Sequence, residues 1–560
     1  MRRIVSSLIL TAALAASGVN PALSQPAPAP AARQPAAAPP RLVVAISVDQ
    51  FSADLFAQYR GHFTGGLARL QEGAVFPSGY QSHAATETCP GHATLLTGVR
   101  PARSGIIANY WFEPGIARAD KRVYCAEEKT DSASTSSDPV VSASLLRVPT
   151  LGDRLKAAYP ASRNVAVSAK DRSVIMMGGH RIDAAYWWKG GRFTSFAGQE
   201  LSSAAQAQNR ATAALVAKGA PPLAIPGWCT ARARTVAAGP VSIGSGRFAL
   251  ERGKVDAFRA SPRMDAAIVE LALRLTEELS LGRGAATDVL SIGLSATDTI
   301  GHAYGHQGLE MCIQMAALDR VIGRLLAQLD ARRIDYVVVL SADHGGLDAP
   351  EGLREQAYPR AVRADPALMP AELGKAVTAR TGISPDAGPL VLGDGPFGDL
   401  YLSAGLSAGE KARAAAALVV LLKAHSQVAA VFTAKELSEA PLPSNSPQDW
   451  SLKDRARASF DSQRSGDVVV LLDRAVVPIP VVRPGGLIAT HGSAWDYDRR
   501  VPILVWRRGM RGFEQPAPVE TVDIAPSLTA ILGLKVPEGA FDGRCLDLDG
   551  GPGNSCEAVN

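Results

Sequence analysis

Short, strongly apolar runs recur along the chain and alternate with segments of helical periodicity. Most are rich in Val, Ile and Leu, and several end on an acidic residue or a histidine. The runs are LVVAISVD (42–49), NVAVSAK (164–170), DVLSIGLSATD (288–298), DYVVVLSADH (335–344) and VPILVW (501–506). Continuous β-branched runs separated by helices are typical of parallel strands that are buried on both faces. The pattern therefore predicts an α/β fold with a central, mostly parallel β-sheet flanked by helices on both faces.

The regular alternation breaks down between residues 350 and 484. Prolines are frequent there, and the clearest elements are a helix near 408–424 and the strand candidate DVVVLL. We interpret 350–484 as an insertion that forms a cap or small second domain, with residues 41–349 and 485–560 forming the main domain; these boundaries are approximate. Two further irregular stretches, 103–150 and 180–260, are expected to form loops over one edge of the sheet.

The N-terminus predicts export. Residues 1–24 combine two arginines, an apolar run too short for a comfortable membrane span, and a small-residue ending at Ala22 and Ser24, which is typical of a secretory signal peptide. Residues 25–40 are rich in Pro and Ala and read as a linker. We therefore expect a periplasmic or secreted protein with no stable membrane anchor after cleavage. Export permits disulfides among the six cysteines, and Cys545 with Cys556 is the favoured local pair.

Composition and charge exclude two other classes of protein. With 47% hydrophobic and 20% charged residues, the chain is not intrinsically disordered. The formal charge of +5 includes Arg2 and Arg3 of the predicted signal peptide, so the mature charge is too small to indicate nucleic-acid binding. No nucleic-acid-binding module is expected.

Acidic residues and histidines follow the apolar runs. Any one Asp after a strand is more simply a helix cap or a turn former. Together they point elsewhere, because the carboxyl ends of parallel strands meet at one edge of a sheet. Imidazole and carboxylate are ligands of zinc-type ions, and two such ions can clamp both oxygens of an in-line displacement. The residues concerned are Asp49, Asp298, His302, Asp343, His344 and His491.

The segment TETCPGHATLLTG (86–98) predicts a helix with Pro90 in its first turn and Gly98 just past its end. Thr88 and Cys89 then lie at the N-terminus, where unpaired N–H groups favour an anion. A plain N-cap role for Thr88 is the simpler interpretation of this segment alone. A metal ion beside Thr88 would instead lower the pKa of its hydroxyl and make it a nucleophile.

These motifs resemble the alkaline phosphatase superfamily, and specifically the bacterial secreted phosphatases with a threonine nucleophile. The similar segments run in order across almost the whole mature chain. They are VDQF, TETCPGHATLLTG, GIIANYW, AKDR, DTIGHAYGH, SADHGG and ATHGS.

The resemblance implies a two-zinc phosphate monoester hydrolase that releases inorganic phosphate from small-molecule substrates. Asp49, Thr88, Asp343 and His344 would hold one zinc, and Asp298, His302 and His491 the other. Thr88 would attack phosphorus and carry a phosphoryl group as phosphothreonine. The phosphate oxygens would be bound by Asn109, Lys170 and Arg172.

Several alternatives stay open at this point. The two cations of AKDR, Lys170 and Arg172, are predicted to share one face of a strand end, because they are two residues apart. They suit a dianionic monoester, whereas a phosphodiesterase or nucleotide pyrophosphatase of the same superfamily would be expected to lack them. An exported metal-binding protein without turnover is a more distant alternative. Cys89 does not fit the CxPxR frame of sulfatases, so we interpret it as a packed or disulfide-bonded neighbour of Thr88. A structural calcium ion in one of the acidic loops is also left open.

Overall fold

A computed structural model describes residues 38–244 and 246–557. The predicted signal peptide and the predicted linker up to residue 37 lie outside these residues. The strands are β1 (Leu42–Val48), β2 (Ala74–Tyr80), β3 (Tyr110–Phe112), β4 (Arg122–Tyr124), β5 (Asn164–Ser168), β6 (Ala184–Lys189), β7 (Arg192–Thr194), β8 (Val236–Ala238), β9 (Val241–Ile243), β10 (Asp288–Leu294), β11 (Tyr336–Ser341), β12 (Val362–Arg363), β13 (Val391–Leu392), β14 (Gly398–Leu402), β15 (Val428–Thr433), β16 (Val468–Leu472), β17 (Val476–Val477), β18 (Arg500–Arg507), β19 (Phe513–Glu514) and β20 (Val519–Glu520).

The helices are α1 (Ala53–Tyr59), α2 (Gly66–Leu70), α3 (Thr88–Thr97), α4 (Pro101–Ser104), α5 (Leu151–Ala158), α6 (Asp171–Gly178), α7 (Ser203–Lys218), α8 (Val255–Arg259), α9 (Arg263–Glu278), α10 (Ala296–Tyr304), α11 (Leu309–Ala331), α12 (Pro350–Glu355), α13 (Pro370–Thr381), α14 (Ala408–Lys423), α15 (Ala434–Ser438), α16 (Leu452–Ser459), α17 (Asp496–Arg499) and α18 (Ile524–Ile531). None of the described helices is long and apolar enough to cross a membrane.

A ten-stranded sheet forms the centre of the fold, in the order β19-β2-β18-β11-β1-β10-β5-β6-β7, with β20 paired to β2. Strands β11, β1, β10, β5 and β6 run parallel to one another. Strand β18 runs antiparallel between β11 and β2. The predicted α/β fold with a mostly parallel central sheet is therefore confirmed.

Both faces of this sheet are buried, as the apolar runs predicted. Along β1, Leu42, Val44 and Ile46 pack into one core with α1, α9 and α11. Val43 and Ala45 point the other way, into a second core with α3, α5 and α18. Because successive strand residues face opposite sides, a strand covered on both sides must be apolar throughout.

Two strands of the central sheet do not follow the predicted pattern. Strand β2 contains Pro77 and Gly79 and has two half-buried positions, so its sequence lacks a continuous apolar run. Strand β6 lies within 180–260, a stretch that we predicted to be loops. That prediction was wrong for β6 and for the sixteen-residue helix α7.

A smaller four-stranded sheet, β13-β14-β16-β15, lies within the stretch that we interpret as an insertion. It has its own apolar core, to which α13 and α14 contribute. The predicted helix near 408–424 and the strand in DVVVLL are both present. The domain boundaries themselves stay a prediction.

Three disulfides join the six cysteines: Cys89–Cys125, Cys229–Cys312 and Cys545–Cys556. The local pair near the C-terminus is the one predicted, and Cys89 is disulfide-bonded as expected. Disulfides form and persist in oxidising compartments, so the bridges support a location outside the cytoplasm.

Gly91 lets helix α3 approach the end of β11. A Cβ atom at this position would overlap the carbonyl oxygen of Asp343. This oxygen belongs to the backbone, so it cannot move away by a change of side-chain rotamer. We expect Gly91→Ala to lower the free energy of unfolding by about 1–3 kcal/mol, as overpacking does in well-packed cores. Gly409→Ala in α14 is the control, because nothing lies near its Cβ position and alanine is the better helix former. Equal stability of Gly91→Ala and the natural protein in urea unfolding would contradict this account of the contact.

Candidate active site

Helix α3 places Thr88 at a positively polarised helix end. Thr88 is the first helical residue and is 1% exposed. The N-cap position is Glu87, which makes no side-chain capping bond, so the hydroxyl of Thr88 is not used as a cap. Gly98 ends the helix with a φ of 71°, as its predicted position requires. The arrangement leaves the Thr88 hydroxyl available for chemistry.

Three neighbouring strands bring the aspartates together. Strand β1 is hydrogen-bonded to β10 on one side and to β11 on the other. Asp49 follows β1, Asp343 follows β11, and Asp298 lies in the first turn of α10, directly after β10. All three side chains are buried, at 0–3% exposure. Parallel order thus gathers them at one edge, as the sequence predicted.

The three predicted histidines face these carboxylates. Nε2 of His302 lies 3.2 Å from Oδ1 of Asp298, in the predicted i, i+4 relation on α10. Nε2 of His491 lies 3.5 Å from the same Asp298 oxygen. Nε2 of His344 lies 3.2 Å from Oδ2 of Asp343. The rings of His344 and His491 stack at 3.5 Å between centroids, so both carboxylate groups belong to one compact site.

Each of these rings has its Nδ1 next to a backbone carbonyl oxygen at 2.8 Å: Ala489 for His302, Gly345 for His344 and Thr86 for His491. A carbonyl oxygen only accepts, so Nδ1 carries the hydrogen and a neutral ring presents a lone pair at Nε2. That lone pair faces a carboxylate oxygen, which is also an acceptor. The space between two such acceptors suits a cation, and metal-binding histidines show this orientation.

Orphaned polar atoms support the same conclusion. Oδ1 of Asp49, Oδ2 of Asp343 and Nε2 of His344 are buried and have no hydrogen-bond partner. Buried polar atoms without a partner destabilise a fold unless something else satisfies them. Two clusters of side chains could each hold a metal ion, because the ligand atoms within each cluster lie within 4.8 Å of one another. The clusters are Asp298, His344 and His491, and Asp49, His92 and Asp343. The residues therefore fit a site for two metal ions.

This grouping includes His92, which the sequence analysis did not select. Its Nε2 lies 3.2 Å from Oδ1 of Asp49, and its Nδ1 lies 3.2 Å from Oδ2 of Asp343. Its Nδ1 also lies 2.9 Å from the carbonyl oxygen of Thr88, four residues earlier on α3. That spacing from the nucleophile candidate is the signal that could have identified it. The grouping also places His344 beside Asp298 and His491, so it bridges the two predicted ligand sets.

The charges in the site keep the aspartates ionised. Burial alone would raise the pKa of Asp298, but when His302 is protonated its charge and that of Lys170 outweigh burial and hold the pKa well below its usual value. Burial acts in the same direction on Asp343, and its pKa is likewise held well below the usual value by His344 and His92. Both carboxylates are therefore anionic, as metal ligands must be.

Gln50 connects the two aspartates that belong to different predicted ligand sets. Its backbone N–H donates to Oδ1 of Asp343 over 3.0 Å, and its Nε2 donates to Oδ1 of Asp298 over 3.1 Å. Its Oε1 accepts from Nε2 of His306 over 2.7 Å. Gln50 has a φ of 64°, a conformation that costs energy for a residue other than glycine and is concentrated at functional sites. Gln50 lies in the VDQF segment, but its position in that segment does not indicate this role.

Lys170 reaches into the site. Its Nζ lies 2.6 Å from Oδ2 of Asp298, 2.9 Å from Oδ2 of Asp49 and 3.5 Å from Oγ1 of Thr88. We had placed Lys170 and Arg172 on one face of a strand end, and this was wrong. Strand β5 ends at Ser168, so Lys170 is the N-cap of α6 and Arg172 lies in its first turn. Asn109 lies beside the start of α3, where its Oδ1 accepts from the N–H of Cys89 over 2.8 Å.

Comparisons with known proteins identify the family and the fold of the chain. A sequence model described as type I phosphodiesterase / nucleotide pyrophosphatase matches residues 43–493. The chain is 50% identical over 520 residues to alkaline phosphatase PhoK of Sphingomonas sp, with 92% of both chains covered. It is 47% identical over 522 residues to alkaline phosphatase PhoD of Zymomonas mobilis, with 92% of this chain and 89% of that protein covered. The crystal structure of alkaline phosphatase PafA shares the fold with a TM-score of 0.79 and 24% identity, covering 91% of this chain and 99% of that one.

Loss of metal should destabilise the protein, because the buried carboxylates would then repel one another. Binding at one hundred times the dissociation constant adds about 2.7 kcal/mol to the free energy of unfolding. A chelator is therefore expected to lower the thermal midpoint, and Asp298→Ala and Asp343→Ala are each expected to lose bound metal. Elemental analysis of the purified variants checks this, with the exposed Asp138→Ala as control. Unchanged metal content in both site variants would show that the ions bind elsewhere.

Proposed function

We propose that this chain hydrolyses phosphate monoesters through a phosphothreonine on Thr88. It belongs to the type I phosphodiesterase / nucleotide pyrophosphatase family. Its similarity to two alkaline phosphatases over about nine tenths of its length identifies it as an alkaline phosphatase. An exported metal-binding protein without turnover is thereby set aside.

The surroundings of the Thr88 hydroxyl support this proposal most directly. It lies at the N-terminus of α3, is buried, and has the ammonium of Lys170 at 3.5 Å. The helix end and the cation both favour the alkoxide over the neutral hydroxyl. An activated hydroxyl of this kind is a nucleophile that needs no adjacent general base. Thr88 would attack phosphorus as the ester P–O bond breaks and the alcohol leaves. Water would then hydrolyse the phosphothreonine, which releases inorganic phosphate and restores the Thr88 hydroxyl.

We propose two zinc ions as the cofactors. Asp49, Thr88, Asp343 and His344 would hold one, and Asp298, His302 and His491 the other. Imidazole and carboxylate donors are the expected ligands of such ions. When bound, they would act as Lewis acids that neutralise charge on the phosphoryl oxygens. Among the described residues, the clusters that could hold an ion are Asp298, His344 and His491, and Asp49, His92 and Asp343, so His92 is a further candidate ligand of the first ion.

The chain's own cations are proposed to read the charge of the substrate. Phosphoryl transfer depends on positioning and on neutralising charge spread over three oxygens. Lys170 offers a point charge beside Thr88, and Arg172 offers a planar fork for two oxygens. Asn109 would add an amide donor, because its Oδ1 is already engaged and its Nδ2 is left to donate. A dianionic monoester matches this set better than a diester, which carries one charge less.

The family description keeps a second function in view, since type I phosphodiesterases share the matched region. Lys170 is the observation that favours a monoester, because a diester would place a second substituent where one phosphate oxygen meets a cation. Small phosphomonoesters are the proposed substrates. We propose a periplasmic or secreted location, from the predicted signal peptide and the three disulfides.

Thr88→Ala is expected to abolish the phosphoenzyme while the metal ions stay bound, because the other ligands are intact. Thr88→Ser should restore a measurable part of the turnover, since it keeps the hydroxyl. Brief incubation with a ³²P-labelled monoester, acid quenching and peptide mapping detect the phosphothreonine. A labelled phosphoenzyme in Thr88→Ala would overturn the assignment.

Lys170→Ala with Arg172→Ala is expected to reduce kcat/KM for p-nitrophenyl phosphate by about 100-fold or more, which corresponds to about 2.7 kcal/mol of lost charge-assisted binding in the transition state. The loss on bis-p-nitrophenyl phosphate should be smaller, because a diester has fewer charged oxygens to neutralise. Lys189→Ala with Arg192→Ala is the matched control, since both of those side chains are exposed on the β6–β7 hairpin. Equal losses on both substrates would remove the charge-reading role.

A further inference from the structure

The backbone of Asn109 is held from two sides in addition to the side-chain bond to Cys89. Its N–H donates to Oε2 of Glu87 over 2.7 Å. Its carbonyl oxygen accepts from the N–H of Cys125 over 3.0 Å. Three of its polar groups are thus engaged, which leaves Nδ2 as the donor that could bind a ligand. Neither Glu87 nor Cys125 has a part in the chemistry described above.

The two N–H groups that hold Asn109 belong to the two halves of one disulfide. Cys89 donates to Oδ1 and Cys125 donates to the backbone carbonyl, and the two cysteines are bonded to each other. Cys89 is the residue after Thr88, and Cys125 directly follows β4. Both are fully buried. The bond therefore fixes the distance between the nucleophile helix and the segment that carries Asn109.

Tyr124, the residue before Cys125, contacts the residue that lies between Lys170 and Arg172, the other two side chains proposed to bind phosphate. The hydroxyl of Tyr124 donates to Oδ1 of Asp171 over 2.5 Å. Asp171 lies between Lys170 and Arg172, and the same oxygen accepts from the backbone N–H of Arg172 over 2.7 Å. Tyr124 is buried, so this contact forms away from bulk water. Of these two consecutive residues, Cys125 thus contacts Asn109, and Tyr124 contacts Asp171 between Lys170 and Arg172.

We propose that Tyr124 and the Cys89–Cys125 disulfide are positioning elements that set the spacing of Asn109, Lys170 and Arg172 relative to Thr88. This inference rests on the proposed phosphate-reading role of those three residues. Fixing groups before the substrate arrives removes the entropic cost of ordering them in the transition state. The disulfide acts on Asn109 through two backbone N–H groups, and Tyr124 acts on Lys170 and Arg172 through Asp171.

The test uses two double variants. In the first, Cys89 and Cys125 are both changed to Ala; in the second, which is the control, Cys229 and Cys312 are both changed to Ala. The second pair is matched because it is also a fully buried disulfide, and it lies in the core of the central sheet. KM for p-nitrophenyl phosphate, the inhibition constant of inorganic phosphate, and kcat/KM for bis-p-nitrophenyl phosphate are measured on each protein with its metals bound. Metal content and thermal midpoint are recorded alongside.

We expect KM for the monoester and the inhibition constant of phosphate to rise about tenfold in the first double variant, because a 1 Å misplacement can cost about 100-fold and the remaining contacts of Asn109 limit its movement. Metal content should not change, and activity on the diester should change less. The control pair is expected to lose thermal stability without this split. A rise of the same size on both substrates, or in both double variants, would reduce the Cys89–Cys125 bond to a general stabiliser and overturn the proposal.

Tyr124→Phe keeps the disulfide and removes one hydroxyl, so it tests the inference even if the cysteine variant does not fold. It should raise KM for the monoester and the inhibition constant of phosphate. Tyr186→Phe is the control and should change neither constant, because the Tyr186 hydroxyl accepts from the N–H of Ser202 on another part of the chain. Unchanged phosphate inhibition in Tyr124→Phe would contradict the role of Tyr124. If the natural enzyme formed no phosphothreonine, the proposed function would fail instead, and the labelling experiment on Thr88 separates the two cases.

Discussion

Three buried carboxylates lie at the ends of three adjacent strands, and the rest of the site depends on balancing their charge. Burial of a single anion is costly, and like charges a few ångströms apart add repulsion. Lys170 contacts Asp49 and Asp298, and imidazoles line the remaining oxygens. Several acceptors still face one another without a proton between them. Divalent cations would neutralise these carboxylates and bind the unpaired acceptor atoms. Metal binding is therefore expected to contribute to the free energy of folding.

The parallel sheet is what makes this concentration of charge possible. Its central strands are mostly apolar, and the three aspartates of the site come only after the strands end. Helix α3 can then lie against the end of β11, because Gly91 has no side chain, and Thr88 comes to the same edge. Gln50 accepts a left-handed backbone to bond both Asp298 and Asp343. Local strain and close approach are thus concentrated around the proposed nucleophile.

The sequence predicted those parts of the structure that depend on local pattern. The apolar runs identified the central strands, and the residues that end them identified the carboxylates and three imidazoles. Strand β2 was missed because Pro77 and Gly79 interrupt it, and its place in the sheet comes from pairing with β18. His92, Gln50 and Tyr124 were missed because their roles come from tertiary contacts. Lys170 and Arg172 were found through a motif, but the assumed strand geometry was wrong because a helix begins at Asp171.

We propose that two metal ions lie at the joined ends of β1, β10 and β11 beside Thr88. Anomalous diffraction at the zinc edge, from crystals of the purified enzyme, would locate them. We expect two peaks about 4 Å apart, one among Asp49, Asp343 and His344 next to the Thr88 hydroxyl, and one among Asp298, His302 and His491. A single peak, or peaks at residues away from this edge of the sheet, would contradict it.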